Sequence, residues 1–544
     1  MSDLAANRPV LVVGAGPVGL TTANLLAERG VPVVVVERNA TTSDQAKAIS
    51  LDDESLRTMQ AAGIADEVLD VVVPGTGTRY FDRHGKDLFQ ARGPEPYRSG
   101  YAFKSQFAQP ELEAVLLDQA RERRCVEVRF STELVGIAHK PGGVAVRLRD
   151  VATDDAGPAR ERTEHFSWVL GCDGGRSQVR ELSGIGMTGV SHQEVWLVAD
   201  TLDDPHRERY GLHRGTPGRP TVIVPGRSGR CRYEFRLEPG EATPGEAPFE
   251  LIHRLVAPYR EIRPDQVERA TSYTFNAVVA DSWRSGRCFL LGDAAHMMPP
   301  FAGQGLNSGV RDAANLAWKL ALVWGGAAGE SLLDTYEMER APHAQATVRF
   351  SERLGELVMT TSRRRALVRD LVVRAMLAVP AGRRYLEQMR YRPLPRFDSG
   401  FVLDGSDELV GRPLPQPLVL TDDLRTVRLD DVLGAGLTLL GVDLEPTAWS
   451  AIPEGWPLHR LDVTLGDLLP TASERRSIGD IGGALERSLD TARGKFVLVR
   501  PDRYVAAVLS PGEVPALGAL LDRHEICQQV APQLSDVPPQ AVAP

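Results

Sequence analysis

The sequence predicts an α/β protein built from more than one domain. Between Val10 and Glu37 an apolar run, a glycine-rich turn, a helical stretch and a second apolar run follow one another, which is the order of a β–α–β unit. Strand candidates crowd residues 194–275, and strands and helices mix again beyond residue 398. A chain of 544 residues is too long for one ordinary core, so two or three domains are expected.

The composition is typical of a globular protein that does not bind nucleic acid. Hydrophobic residues make up 42% and charged residues 25% of the chain, and the net charge of -9 argues against nucleic acid or an anionic membrane as the main partner. The five cysteines are scattered, so we expect a reducing cytoplasm, no disulfides and no structural zinc. Residues 1–9 have no basic region followed by an apolar one, so we expect no secretory leader, and no apolar run reaches the ~18 residues that a membrane span needs.

The first motif is a glycine-rich turn between two apolar strands, residues 10–13 and 31–36. Its glycines permit a tight turn and let a pyrophosphate approach the N-terminus of the helix that follows, while Glu37 can accept a hydrogen bond from a ribose hydroxyl. An acid at this position favours FAD or NAD over NADP, whose ribose carries a phosphate. The turn consists of Gly14, Ala15, Gly16, Pro17, Val18 and Gly19.

Two acidic turns later in the chain have a similar form. Residues 168–172 are an apolar strand that ends at Asp173, and residues 288–291 are another that ends at Gly292 and Asp293. Residues 307–324 then have helical spacing, with Asn307 as the predicted N-cap of a helix whose N-terminus suits an anionic group. Each acidic turn by itself could equally be a simple structural turn. Together with the glycine turn they favour a dinucleotide lying over strand ends.

The strand-rich stretch offers candidates for contact with a substrate. In residues 230–237, Tyr233 alternates with Arg232 and Arg236, which gives the strand one aromatic and one charged face. Such alternation more often separates core from solvent, and both alternatives stay open. The basic residues 351–391 are predicted to be a solvated helix face.

These motifs resemble those of the class A flavoprotein aromatic hydroxylases, in particular the 3-(3-hydroxyphenyl)propionate hydroxylase branch. The resemblance covers nearly the whole chain and includes residues 52–60, 171–174, 292–296, 303–305, 315–321 and 500–505. It implies a Rossmann-like FAD-binding domain in residues 1–185 and 276–392. It also implies an interleaved β-sheet substrate domain in residues 186–275 with parts of 71–108, and a thioredoxin-like C-terminal domain without redox cysteines in residues 398–544.

The resemblance also implies roles for individual residues. The glycine turn would hold the FAD pyrophosphate, Glu37 the adenosine ribose and Asp293 the flavin ribityl chain, while Asp173 would serve both FAD and the approach of the nicotinamide donor. Lys47 stands where many relatives have arginine, which replaces a bidentate fork with a point charge. Further cofactor contacts are expected from Arg38, Lys47, Gln109, Gly292, Pro300, Gly303, Gly305, Leu306 and Asn307.

The family's reaction implies NADH or NADPH as a transient co-substrate together with O2, since the chain has a single GxGxxG motif. A flavin hydroperoxide would then attack an electron-rich phenol, which reacts best as its phenolate. His296 could act as the general base or could order the loop around it. The candidate catalytic residues are His296, Pro299, Tyr233 and Arg232.

The sequence therefore predicts an FAD-dependent monooxygenase that hydroxylates a phenolic acid, such as 3-(3-hydroxyphenyl)propionate, at the ortho position. A cytoplasmic location and a homodimer are the accompanying expectations. Three alternatives stay open: a tailoring hydroxylase of a larger aromatic or polyketide, a flavin reductase or dehydrogenase that uses no O2, and a non-catalytic FAD-binding protein.

Overall fold

The computed structural model describes residues 8–42, 48–151, 160–403, 407–466, 469–470 and 475–527. Lys47, which was predicted near the cofactor, lies outside these residues. None of the helices described is both long and apolar enough to cross a bilayer. The α-helices are α1 (Pro17–Glu28), α2 (Asp53–Ala61), α3 (Ala65–Val71), α4 (Gln109–Glu122), α5 (Gln178–Leu182), α6 (Phe249–Val256), α7 (Gly305–Trp324), α8 (Ser331–Val358), α9 (Arg363–Leu377), α10 (Pro380–Glu387), α11 (Leu429–Leu433), α12 (Glu486–Leu489) and α13 (Val514–Arg523).

The strands belong to five sheets, of which three are large. In chain order they are β1 (Val10–Val13), β2 (Val33–Val36), β3 (Ser50–Asp52), β4 (Val72–Val73), β5 (Thr78–Phe81), β6 (Asp87–Ala91), β7 (Lys104–Phe107), β8 (Val126–Arg129), β9 (Thr132–Lys140), β10 (Gly143–Asp150), β11 (Glu161–Phe166), β12 (Val169–Gly171), β13 (Met187–Thr201), β14 (Gly211–Arg214), β15 (Thr221–Pro225), β16 (Cys231–Arg236), β17 (Val267–Ala280), β18 (Arg284–Ser285), β19 (Cys288–Leu290), β20 (His296–Met297), β21 (Leu418–Thr421), β22 (Thr426–Arg428), β23 (Thr438–Val442), β24 (His459–Thr464), β25 (Ser477–Asp480), β26 (Lys495–Val499) and β27 (Val505–Leu509).

The first large sheet brings the three motifs together at one edge. Its strand order is β18-β19-β12-β1-β2-β8, and from β19 to β8 all strands run parallel. Parallel strands that are buried on both faces read as continuous apolar runs, as β1 and β2 do. Since the carboxyl ends of parallel strands meet at the same edge, the glycine turn after β1, Glu37 after β2 and the acidic turns after β12 and β19 are neighbours. The predicted α/β fold is confirmed.

One predicted helix start is wrong. The helix α7 begins at Gly305 with Gln304 at the N-cap position, so Asn307 lies inside the first turn and is not the N-cap. Instead its side chain bonds segments that are distant in sequence.

The second large sheet has two differently covered faces. Its strand order is β20-β17-β13-β16-β15-β14-β5-β6, so β5 and β6 join it from a distant part of the chain. One face, which we call the outer face, packs an apolar cluster against α6. The other, the inner face, carries aromatic side chains that pack against the 3₁₀ turn Pro300–Ala302 and the end of α8. The inner face is therefore turned toward the loop that precedes α7.

The C-terminal part forms a seven-stranded mixed sheet of thioredoxin-like type, with the order β22-β21-β25-β24-β23-β26-β27. Its core continues into the rest of the protein, because Trp318 of α7 and Leu332 of α8 belong to the same buried cluster as residues of β23, β26 and α13. Cys527 is the only cysteine of this part and is unpaired, so no dithiol is present here.

Candidate active site

Three glycines shape the turn between β1 and α1, each for its own reason. Gly14 has φ +104°, and a Cβ there would lie 2.5 Å from Cys172 O. A Cβ on Gly19 would lie 2.0 Å from Gly14 O, so this glycine lets the helix start against the strand. Gly16 occupies the N-cap of α1 without a side-chain cap, ahead of Pro17 and Val18. The first N–H groups of α1 are thus left for an anionic group.

Glu37 closes the same turn from the end of β2. Its Oε2 accepts from Ala15 N at 3.0 Å, and its Oε1 accepts from Asn39 N at 3.0 Å. The carboxylate is partly buried, whereas Arg38 beside it is exposed. The acid therefore lies against the glycine turn, where a ribose hydroxyl could compete for its oxygens.

The acidic turn after β12 is held in place by hydrogen bonds to the carboxylate of Asp173. Ser177 Oγ donates to Asp173 Oδ1 at 2.5 Å and Val179 N donates to Asp173 Oδ2 at 3.1 Å. Burial raises the pKa of Asp173, and these hydrogen bonds oppose the rise. Arg180 Nη1 then donates to Ala294 O at 3.1 Å, which ties this turn to the one after β19.

The turn after β19 packs directly on the glycine turn. Gly292 has φ +59°, and its N–H donates to Asp312 Oδ2 on α7 at 3.0 Å. A Cβ on Gly309 of α7 would lie 2.5 Å from Val18 Cγ2, so glycine allows α7 to approach α1. Asp293 lies within this 3₁₀ turn and is partly buried.

His296 is fully buried behind this edge. Its Nε2 lies 2.8 Å from Asp312 Oδ2, and Arg340 Nε donates to Asp312 Oδ1 at 2.9 Å. Burial alone would raise the pKa of Asp312, but the adjacent His296 and Arg340 and the bond from Gly292 N lower it to about 2. This arrangement favours the alternative in which His296 orders the loop, because the imidazole has no exposed surface from which to reach a substrate.

Asn307 joins three segments through one buried amide. Its Oδ1 accepts from Asp52 N at 2.9 Å and from Ser55 Oγ at 2.7 Å. Its Nδ2 donates to Gly303 O at 2.7 Å and to Ser50 O at 3.1 Å. Gly303 has φ +61° and ends the turn that Pro299 begins. The remaining predicted flavin-lining residues lie on this turn and on the first turn of α7: Pro300, Gly305 and Leu306.

The inner face of the eight-stranded sheet presents an aromatic wall to this loop. The ring centroids of Trp196 and Phe301 are 5.3 Å apart, and those of Phe275 and Phe301 are 5.5 Å apart. Ile49, just before β3, packs against the same cluster. Aromatic side chains thus connect the loop around Phe301 with the sheet.

The candidates on β16 fall on opposite faces. Arg232 points to the inner face and is held by Asp200, with Nε–Oδ1 at 2.7 Å and Nη2–Oδ2 at 3.0 Å. Tyr233 belongs to the outer-face cluster and donates its hydroxyl hydrogen to Asp204 at 2.8 Å. The structure therefore separates Tyr233 from the loop, and we no longer consider it a candidate for contact with the substrate.

Three other residues of the inner face were not predicted from the sequence. Glu234 is buried beside Arg232, and Tyr273 and His213 lie on strands β17 and β14 of the same sheet. Burial raises the pKa of Tyr273 above its ordinary value and lowers the pKa of His213 to about 3. Glu234 could have been found from the alternation that selected Arg232. Tyr273 and His213 had no local signal.

Comparisons with known proteins agree with this geometry. Residues 7–351 match the family described as FAD binding domain, and residues 411–524 match HcaD C-terminal domain. The 3-(3-hydroxy-phenyl)propionate/3-hydroxycinnamic acid hydroxylase of Mycobacterium sp. (strain KMS) is 37% identical over 94% of this chain and 90% of its own length. The enzyme of the same name from Paraburkholderia xenovorans (strain LB400) is 34% identical over 98% and 94%. This chain belongs to the FAD-dependent aromatic hydroxylases.

A solved structure of another hydroxylase shares the fold. Aklavinone-11 hydroxylase, in a ternary complex with FAD and aklavinone, superposes with a TM-score of 0.74 at 27% identity, over 95% of this chain and 99% of the other. The present hydroxylase is accordingly an FAD-dependent monooxygenase of aromatic, phenolic substrates, and the predicted family, fold and enzyme class are confirmed. Its reaction uses FAD with NADH or NADPH and O2, as predicted.

The residues at the strand edge fit FAD. Gly16, Gly174 and Gly305 each face space in which a Cβ would meet no atom within 4 Å, so room remains beside the backbone at all three turns. The uncapped N-terminus of α1 offers N–H groups to a pyrophosphate. Gln109 Oε1 accepts from Ala48 N at 2.8 Å, which ties the start of α4 to the segment before β3.

Proposed function

We propose that this hydroxylase adds a hydroxyl group ortho to the existing hydroxyl of a small phenolic acid related to 3-(3-hydroxyphenyl)propionate. The observation that carries the proposal is the composition of the inner face, which is aromatic beside the turn Pro300–Ala302 and carries charged groups, among them Arg232 and Lys104, farther along the sheet. An aromatic ring suits the first region and a carboxylate suits the second. The names of the relatives support the same substrate class.

Bound FAD would accept hydride and activate O2, and the protein would supply placement and charge. The glycine turn, Glu37 and the acidic turn at Asp173 would hold its adenosine and pyrophosphate part. The turn from Pro299 to Gly303 and the first turn of α7 would border its ring system. The N-terminus of α7, where Gln304 offers no side-chain cap, would stabilise negative charge near that ring.

The aromatic wall would then exclude water around the reacting ring. Trp196, Phe275 and Phe301 pack edge to face or tilted, and the first two are buried. A dry, rigid wall prevents wasteful reaction of the activated cofactor with water and holds the phenol in one orientation. Arg232, already paired with Asp200, would contribute a fixed charge at the edge of this region.

A larger aromatic is the second candidate, because the structure resembles that of aklavinone-11 hydroxylase over nearly the whole chain. The two candidates differ in size and charge.

The test is NAD(P)H oxidation by the FAD-loaded enzyme against a panel of phenols, with identification of the products. We expect 3-(3-hydroxyphenyl)propionate to stimulate oxidation and to yield the 2,3-dihydroxy acid. Stimulation with only hydrogen peroxide as product, or turnover of polycyclic phenols alone, would reject the small-acid proposal. Undiminished turnover without O2 would indicate a reductase or dehydrogenase.

We propose that the enzyme is located in the cytoplasm, and the state of its cysteines supports this. All five cysteines are free, and Cys231 and Cys288 are buried. Free cysteines without disulfides are typical of proteins in a reducing compartment. Fractionation of the producing cells, with activity recovered in the cytosolic fraction, is the expected result; activity in a secreted fraction would contradict it.

A further inference from the structure

We propose that Lys104 binds the carboxylate of the substrate's side chain and so makes this hydroxylase selective for phenolic acids over neutral phenols. This inference rests on the proposed function, since it assigns the residue that reads the acid group. The residue lies outside every motif that the sequence singled out.

Lys104 begins β7 and reaches over the inner face of the sheet. Its Nζ lies 3.1 Å from Thr78 Oγ1 on β5. On the neighbouring strand β14, a Cβ on Gly211 would lie 3.8 Å from Nζ and 3.9 Å from Val224 Cγ2. Because Gly211 has no side chain, space remains beside the ammonium. Lys104 itself is partly exposed, whereas Thr78 and Val224 are buried.

The ammonium of Lys104 has no carboxylate in direct contact, unlike the guanidinium of Arg232 on the same face. Both carboxylate oxygens of Asp200 bind Arg232. Among the described residues, no carboxylate lies within ion-pair distance of Lys104, whose hydrogen-bond partner is the neutral hydroxyl of Thr78. The charge of Glu234 acts on Lys104 only from a greater distance. A cation withdrawn from water without a contact ion pair is costly, and an incoming carboxylate would reduce that cost.

The electrostatic surroundings also favour an anion. Burial, and next the positive charge of Arg392, lower the pKa of Lys104 to about 8 against the opposing charge of Glu234, so most of the lysine is charged at neutral pH. Arg392 lies with its guanidinium 4.9 Å from the ring centroid of Phe103 and adds positive potential. Burial, and next the charge of Lys104, lowers the pKa of His213 to about 3, so this imidazole is neutral and does not compete for the acid.

The position of Lys104 fits a short acid chain on a ring held at the aromatic wall. Trp196 is on β13 and Gly211 on β14, and the strand order places three strand spacings between them. At ~4.8 Å per spacing this is about 14 Å, a separation that a phenol ring with a three-carbon acid chain can span when it lies over the inner face. Asp52, the register partner of Lys104, also bonds Asn307 and so ties β7 to the start of α7.

The test compares Lys104→Met with wild type and with Lys86→Met, which removes an exposed lysine in the turn between β5 and β6. Binding to the oxidised, FAD-loaded enzyme is followed by the change in flavin absorbance, without NAD(P)H. The ligands are 3-(3-hydroxyphenyl)propionate and its neutral alcohol, 3-(3-hydroxyphenyl)propan-1-ol. Lys104→Arg and Lys104→Gln are included in case the methionine variant folds poorly.

We expect Lys104→Met and Lys104→Gln to raise the Kd of the acid at least about tenfold and to change the Kd of the alcohol less than about threefold, since one charge-assisted bond is lost. Lys104→Arg should keep the preference for the acid, and Lys86→Met should behave as wild type. Equal loss of acid and alcohol, or no loss of either, would overturn the assignment of Lys104 alone. Failure of wild type to bind or hydroxylate the acid would reject the proposed function and this assignment with it.

Discussion

The backbone N–H of Asp52, the last residue of β3, donates to the side-chain oxygen of Asn307 on α7 at 2.9 Å. Through this bond the amide of Asn307 connects the strand to α7, the helix whose N-terminus we propose borders the flavin. Its two donor hydrogens hold the carbonyls of Ser50 and Gly303, so one buried side chain fixes both sides of the loop.

Asn307→Asp should loosen this loop. The carboxylate keeps the bonds from Asp52 N and Ser55 Oγ but turns an oxygen toward two carbonyls that the amide had satisfied. We expect a loss of about 2–4 kcal/mol in the free energy of unfolding, measured with urea, and faster release of FAD. Asn276→Asp is the matched control, because within the described part of the chain the one hydrogen-bond partner of that amide is Met297 Sδ, at 4.0 Å. Equal stability of the Asn307 variant and wild type would contradict the role assigned to Asn307.

His296→Asn should lower the stability of the fold but leave the shape of the pH profile of kcat unchanged. The imidazole is buried against Asp312 and Trp283, so its loss leaves a polar gap in the loop. A general base contributes roughly 10²–10⁴-fold, whereas a residue that orders the loop should cost kcat less than about tenfold. The pH profile of kcat discriminates between the two. A profile that loses its acidic limb in the variant would identify His296 as the base.

Much of the site could be predicted from the sequence because its signals are local. The glycine turn, Asp173 and Asp293 each directly follow an apolar run, and parallel strands then bring such turns to one edge without further information. The role of Asn307 could not be predicted, because it depends on β3, more than 250 residues earlier in the chain.

The residues of the inner face could not be predicted either, because their positions also depend on segments that are distant in sequence. The alternation on β16 placed Arg232 and Tyr233 on opposite faces, but it could not show which face meets the flavin loop. The position of Lys104 over this face depends on the parallel pairing of β5 with β14, and these strands are more than 100 residues apart in the sequence. Long-range pairing, rather than local preference, decides these positions.

Acid should destabilise the junction between the C-terminal part and α8. Glu339 accepts from Arg500 Nη2 at 2.7 Å, both fully buried. Burial would raise the pKa of Glu339, but Arg500 and Lys319 lower it from 4.5 to about 2. Because the folded pKa lies below the unfolded value, the carboxylate stabilises the fold above about pH 4.5, and this contribution is lost as pH falls toward about 2.

The measurement is the urea unfolding free energy of Glu339→Gln and of wild type between about pH 2 and pH 7, a range that includes the interval in which the contribution is lost. The variant should be less stable than wild type at pH 7, and its stability should fall less steeply with acid. Glu454→Gln, at an exposed position, is the control and should follow wild type. Parallel curves for Glu339→Gln and wild type would show that this pair does not set the acid sensitivity.

The second buried junction joins α2 to the C-terminal part. Arg57 binds Asp430 with Nε–Oδ2 at 2.7 Å and Nη2–Oδ1 at 2.6 Å. Arg57→Met should cost roughly 3–5 kcal/mol, because it removes the bidentate partner of a buried carboxylate and leaves Arg503, at 3.4 Å, as its remaining ion pair. The double variant Arg57→Met/Asp430→Leu should recover part of that loss in urea unfolding. A double variant as unstable as the single one would mean that packing, and not the buried carboxylate, dominates.

The most direct test of the central claim is the origin of the new hydroxyl oxygen. FAD-loaded enzyme is supplied with NAD(P)H, 3-(3-hydroxyphenyl)propionate and ¹⁸O₂, and the mass of the product is determined by mass spectrometry. The proposal predicts a dihydroxy acid that carries one ¹⁸O atom, formed in proportion to the NAD(P)H consumed. A product without ¹⁸O, or NAD(P)H oxidation that continues unchanged without O2, would contradict it.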